Sequence, residues 1–96
     1  VAVVIKADSV EHAMALANDT PYGLAASIWS ADTEKAVAMS SDIEAGQVAI
    51  NGIVKTDPRL PSGGIKRSGY GRELGPHGIL GFVNVQQVWV GAPTSQ

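Results

Sequence analysis

Lys66, Arg67 and Arg72 stand among five glycines in the fifteen residues Pro61–Gly75. A guanidinium can grip a carboxylate or phosphate through two parallel hydrogen bonds, and a lysine can offer either a point charge. The glycines tolerate φ > 0 and allow another group to approach the backbone closely. The loop is therefore suited to hold an anion, or to be tied by its own cations to neighbouring elements. Charged residues in a glycine-rich turn usually do the second, and Arg72 and Glu73 are read that way. Two hydroxyls, Thr56 and Ser62, flank the start of the loop. Such groups can donate to a carboxylate or cap a turn.

Other chemistries are excluded more firmly. With no cysteine among the 96 residues, these residues supply neither a thiol nucleophile nor a disulfide. His12 and His77 have no carboxylate or thiol at ligand spacing, so a metal site is not expected. Gly69-Tyr70-Gly71 lacks the spacing and the preceding strand of a dinucleotide fingerprint. Asn18-Asp19-Thr20 matches a glycosylation sequon without a secretion signal to support it. Met14 and Met39 read as packing residues.

The net charge of −2 is unevenly spread. Residues 1–54 hold two lysines against seven carboxylates, net −5; residues 55–96 hold five cations against two carboxylates, net +3. The basic half suits an anionic substrate or an acidic neighbour. An acidic overall balance, with few aromatics between the cations, argues against nucleic acid. No apolar run approaches the ~20 residues that span a bilayer, so no membrane association is expected.

These residues must be positioned by a regular frame. Val1–Ile5 is a β-branched run that reads as a buried strand. Asp8 with Glu11 reads as a capping box, followed by the stripe Val10, Ala13, Met14 and Ala17, with a stop at Asn18 and Pro21. Leu24–Trp29 reads as a second strand. Asp32 caps a second helix with the stripe Ala36, Val37, Ser40 and Ile43, ended by Gly46. Gln47–Ile50 reads as a third strand. The expectation is an α/β fold, a partial parallel sheet in the order β-α-β-α-β. Asn51–Gly75 is a loop longer than the ~12–15 residues usual without regular structure, which favours function or packing on a larger body. Pro76–Gly81 reads as a short helical turn. Val83–Val90 reads as a final strand with a bulge at Gln86-Gln87, and Gly91–Gln96 as an irregular tail. Two helices and a loop cannot cover both faces of such a sheet, so the chain is expected to belong to a larger body or to self-associate.

The loop at Pro61–Gly75 resembles the PFGG-x-K-x-SG-x-GRELG signature near the C-terminus of aldehyde dehydrogenases. Asn18, Thr20, Tyr22, Gly23, Leu24 and Ala25 are similar to that family's N-x-T-x-YGLA segment. Ala45, Gly46, Val48, Ile50 and Asn51 are similar to its AG-x-V-x-(V/I)N segment. Asp57, Pro58, Arg59, Leu60 and Pro61 resemble the DPRLP lead-in of succinate-semialdehyde dehydrogenases, and Gly78, Ile79, Phe82, Val83 and Asn84 the GI-x-x-FVN ending. The pieces occur in family order from about Val1 to Val90.

The resemblance implies a C-terminal fragment of a much longer, cytoplasmic, NAD- or NADP-dependent enzyme. That enzyme would oxidise an aldehyde to its acid: a thiolate attacks the carbonyl carbon, hydride leaves to the nicotinamide, and a glutamate-activated water releases the acid. None of those reacting groups is expected here, so no catalytic or cofactor-binding residue is assigned and the fragment alone is expected to be inactive. Residues 1–82 would be the C-terminal part of the catalytic domain, 83–90 an oligomerisation strand carrying Val83, Val85, Val88 and Val90, and 91–96 a tail. Thr56 and Ser62 would line the substrate tunnel. Thr56 stands where semialdehyde-oxidising relatives often carry a serine, and Ser62 where the family usually carries phenylalanine. The favoured substrate is a semialdehyde with a terminal carboxylate, and the partners are the rest of the dehydrogenase chain and further copies in a homo-oligomer. The alternative is a non-catalytic assembly module that pairs through residues 83–90.

Overall fold

The computed structural model describes residues 2–93. Its first element is helix α1, Val10–Asn18. The expected cap was Asp8; the residue that caps is Ser9. Its extended backbone (φ −156°, ψ 170°) turns the hydroxyl to accept from His12 N–H at 3.0 Å. Asp8 N–H instead donates to His12 Nδ1 at 3.1 Å. Two adjacent oxygen-bearing side chains compete for one role, and the residue with the non-helical dihedrals takes it.

Strand β1, Tyr22–Gly23, and strand β2, Ala25–Ile28, follow. Helix α2, Thr33–Ser40, is capped as expected by Asp32, whose Oδ1 accepts from Lys35 N–H at 3.1 Å. It ends short of Gly46, because Ser40 and Ser41 turn their hydroxyls back to the carbonyls of Val37 (2.6 Å) and Ala38 (2.9 Å). Serines that bond their own backbone compete with helix propagation. Strand β3, Gln47–Ile50, pairs in parallel with β2, Ala25 opposite Gln47 through Ile28 opposite Ile50. This is the expected β-α-β crossover. Strand β4, Ile65–Lys66, pairs antiparallel with β1, so the sheet structure is mixed rather than purely parallel. Helix α3, Gly75–Leu80, occupies the expected short helical turn.

The two outer strands do not form within the chain. Val1 lies outside the described residues, and residues 2–5 carry no strand. Residues 83–90 carry none either, so there is no ladder at Gln86-Gln87 to bulge. A strand is defined by its pairing, and among the described residues nothing pairs with either segment. Of the expected tail, 91–93 is irregular and exposed, and 94–96 lies outside the described residues.

Packing within the chain is thin. Among the described residues, Ala36 alone is a buried hydrophobic, while Val4, Phe82 and Val85 are 95%, 95% and 88% exposed. The radius of gyration is 20.1 Å, against about 12.5 Å for a compact domain of this length. The frame is held mainly by hydrogen bonds between distant turns, and large apolar side chains stand exposed on it.

Candidate functional site

The junction of β3 with the glycine-rich loop creates a concavity. Gly46 passes so close to the carbonyl of Gly63 that a Cβ at residue 46 would collide with it. This explains why glycine is needed immediately before β3: the loop backbone occupies the space a side chain would need. Ser62 is then fixed opposite Glu73 by reciprocal backbone bonds, both 2.8 Å. The Ser62 hydroxyl donates to Gln47 Oε1 at 3.2 Å. Between these walls lies a cleft of ≈ 340 Å³ lined by, among others, Gln47, Lys55, Asp57, Leu60, Pro61 and Ser62.

Asp57 lines one wall, and Arg59 holds it from outside the lining. Arg59 donates to Asp57 through Nε (3.1 Å), Nη2 (2.9 Å) and its backbone N–H (2.9 Å). The guanidinium hydrogen bonds, seconded by the backbone one, hold the Asp57 carboxyl below its usual range, and the same pairing raises Arg59. The DPRLP segment is thus a self-paired turn, and the charge of Arg59 is spent inside it.

Two further cations of the basic half are also committed. Arg72 Nη1 donates to the carbonyls of Gly64 and Gly71, both at 2.8 Å, so it braces the loop. This agrees with its structural reading. Lys66 Nζ donates to the carbonyls of Asn18 (3.0 Å) and Thr20 (3.2 Å) and lies 3.4 Å from Glu44 Oε1. Among the described residues, Lys55 and Arg67 have no carboxylate within ion-pair distance. Of these two, Lys55 lines the cleft.

The sequence-based candidates separate here. Ser62 is half-buried in the cleft wall, whereas Thr56 is exposed and is not among the lining residues, although Lys55 and Asp57 on either side of it are. Val83, Val85, Val88 and Val90 are exposed and lie outside the cleft. Gln47 was read only as a strand residue. A polar side chain opening an otherwise apolar strand is the one signal that could have singled it out. Among the described residues no group of three His, Cys, Asp or Glu could hold a metal ion, and no helix is long and apolar enough to cross a membrane.

Comparison with known proteins adds four findings. The family model described as "Aldehyde dehydrogenase family" matches residues 1–88. A probable succinate-semialdehyde dehydrogenase [NADP(+)] of Synechocystis is 56% identical over 90 residues, covering 94% of this chain and 20% of that protein. The solved succinic semialdehyde dehydrogenase of Streptococcus pyogenes, in complex with NADP+, superposes with a TM-score of 0.83 at 44% identity, over 88% of this chain and 18% of the other. A Mycobacterium tuberculosis aldehyde dehydrogenase complexed with NAD+ gives 0.73 at 47% identity, over 78% and 15%. The chain spans about a fifth of the length of the curated relatives it matches.

Proposed function

Because the chain belongs to the aldehyde dehydrogenase family, we propose that it works as part of an NAD- or NADP-dependent enzyme that oxidises a carboxylated semialdehyde, such as succinate semialdehyde, to its acid. The observation that carries the substrate choice is the cleft that Ser62 and Lys55 both line. A hydroxyl in place of a ring makes the wall polar, and an uncommitted ammonium favours an anion. The names of the relatives support the same choice.

The division of labour follows from composition. Without a cysteine in the 96 residues, the covalent step needs a thiol from other polypeptide. Among the described residues, the one strand-to-helix turn that leaves a parallel strand, from β2 to α2, does not suit a pyrophosphate. It contains no glycine, and Asp32 and Glu34 place carboxylates at the helix start. The nicotinamide cofactor therefore falls to residues beyond these, and this chain contributes substrate wall and part of the sheet. Residues 1–82 act as the catalytic-domain portion and 83–90 as an assembly segment.

Steady-state kinetics of the whole enzyme tests the reading. Succinate semialdehyde should be preferred to apolar aldehydes of equal length. Ser62→Phe should cut that preference by about tenfold, the scale of one altered pocket contact. The 96 residues alone should give no aldehyde-dependent NAD(P)H; turnover by purified fragment would overturn the division of labour. The exposed valines of 83–90 favour a second reading, a non-catalytic assembly module. A whole polypeptide that assembles but oxidises no aldehyde would establish it.

A further inference from the structure

Gln47 opens β3 yet meets the loop fifteen residues away, where its Oε1 accepts the Ser62 hydroxyl at 3.2 Å. The contact is built rather than incidental. Both residues are half-buried. The preceding Gly46 is locked against Gly63, and Ser62 is clamped to Glu73 on both its backbone groups. Ser62 spends its only proton on Gln47. The amide nitrogen Nε2 of Gln47 carries two N–H donors and has no protein acceptor among the described residues. Lys55 lines the same cleft. The carboxylate that would oppose an anion there, Asp57, is already engaged by Arg59 through both oxygens.

We propose that Gln47 is a specificity-determining residue of this cleft: it orients the Ser62 hydroxyl and donates from Nε2 to the carboxylate of an anionic aldehyde, while Lys55 supplies the charge. The assignment rests on the reading of the cleft as substrate wall. A neutral amide fits the task because it offers a donor to the carboxylate and an acceptor to the serine at once. An apolar side chain offers neither, and a carboxylate would repel the substrate.

The test uses the whole enzyme with succinate semialdehyde and with butanal, an apolar aldehyde of the same length. Wild type, Gln47→Met, Ser62→Ala and the double variant are compared by the ratio of kcat/KM for the two aldehydes. Each single variant should lower the ratio by about tenfold, chiefly through a raised KM for succinate semialdehyde. The double variant should lose less than the product of the singles, because the pair acts as a unit. An unchanged ratio in Gln47→Met, or losses that simply multiply, overturns the role of Gln47 and leaves the substrate reading standing. A wild-type ratio near one overturns the substrate reading itself. Should Gln47→Met fail to fold, Gln47→Glu decides: it keeps size and an acceptor for Ser62 but faces the substrate with a negative charge. Its ratio must fall below that of Ser62→Ala, and a retained wild-type ratio overturns the proposal.

Discussion

The region from Thr20 to Gly75 and the segment from Asn84 to Pro93 differ in where their backbone groups go. In the first, distant turns are joined: Gly46 N–H to Gly23 O at 3.0 Å, Asn51 N–H to Ile28 O at 2.8 Å, Arg67 N–H to Pro21 O at 2.8 Å. Side chains repeat the pattern, as when Ser68 Oγ accepts from Gly23 N–H at 3.0 Å. In the second, no backbone group has a protein partner among the described residues, and Val85, Val88 and Val90 are 88%, 75% and 85% exposed. Backbone donors and acceptors are satisfied somewhere, by protein or by water. The first region therefore carries its own geometry, whereas no hydrogen bond within the described residues fixes the second. A cleft built in the first can be read from this chain alone; an interface built by the second needs another chain.

The contrast breaks most sharply at the valines. On the proposal that residues 83–90 pair across a subunit boundary, Val85→Lys with Val88→Lys should dissociate the whole enzyme into smaller species. Each buried, unpaired ammonium costs several kcal/mol. Light scattering checks this, and an unchanged mass would remove the interface from this segment. The hydrogen-bonded region should not respond, since its bonds lie elsewhere.

Gly46→Val probes the opposite side. The new side chain meets the Gly63 carbonyl, and overpacking of this kind costs about 1–3 kcal/mol. Denaturant unfolding of the whole enzyme should show it, with the assembled mass unchanged at low denaturant. A neutral result would mean the β3–loop junction is slack.

Asn51→Ala is a smaller change in the same region. Asn51 Oδ1 accepts from Ser30 N–H at 2.7 Å and its Nδ2 donates to Ser30 O at 2.9 Å, from a backbone at φ 53°. Losing both bonds should cost about 1–2 kcal/mol. Faster amide exchange at Ser30 and Asn51 than in α1 would locate the loss.

The smallest effect concerns acid. The folded-state pKa of Asp57 is depressed by Arg59. Its contribution is therefore present above the ordinary carboxylate range and is lost as pH falls through the depressed value. Asp57→Asn should flatten the acid limb of the stability profile slightly and leave stability near neutrality little changed, since exposed ion pairs are weak. An acid limb identical to wild type would show that the pair contributes nothing.

Local features were legible because they depend on neighbours three or four residues away or on strict alternation. β2, α2 with its Asp32 cap, β3 and the turn at α3 all belong to this class. The Ser9 cap was missed by one position because Asp8 carries an equally suitable oxygen, and only dihedrals separate them. Ser62 stands out in the sequence by its departure from an aromatic position of the motif, and it lines the cleft. Gln47 does not stand out, because its partner lies on another element.

By itself the sequence determined the family, through ordered motifs from Asn18 to Asn84, and the crossover β2–α2–β3, through period and capping. Tertiary structure alone decided which charges are free. Lys66, Arg72 and Lys55 look alike in the chain, yet carbonyls at Asn18, Thr20 and Gly64 absorb the first two, while Lys55 lines the cleft. It also decided that β1 pairs with β4, Gly23 with Ile65, and that residues 83–90 form no strand pair among the described residues. The reason is common to all three. A charge or a strand edge has its meaning only in the partner it meets, and partners more than a few residues apart are chosen by the path of the backbone in space.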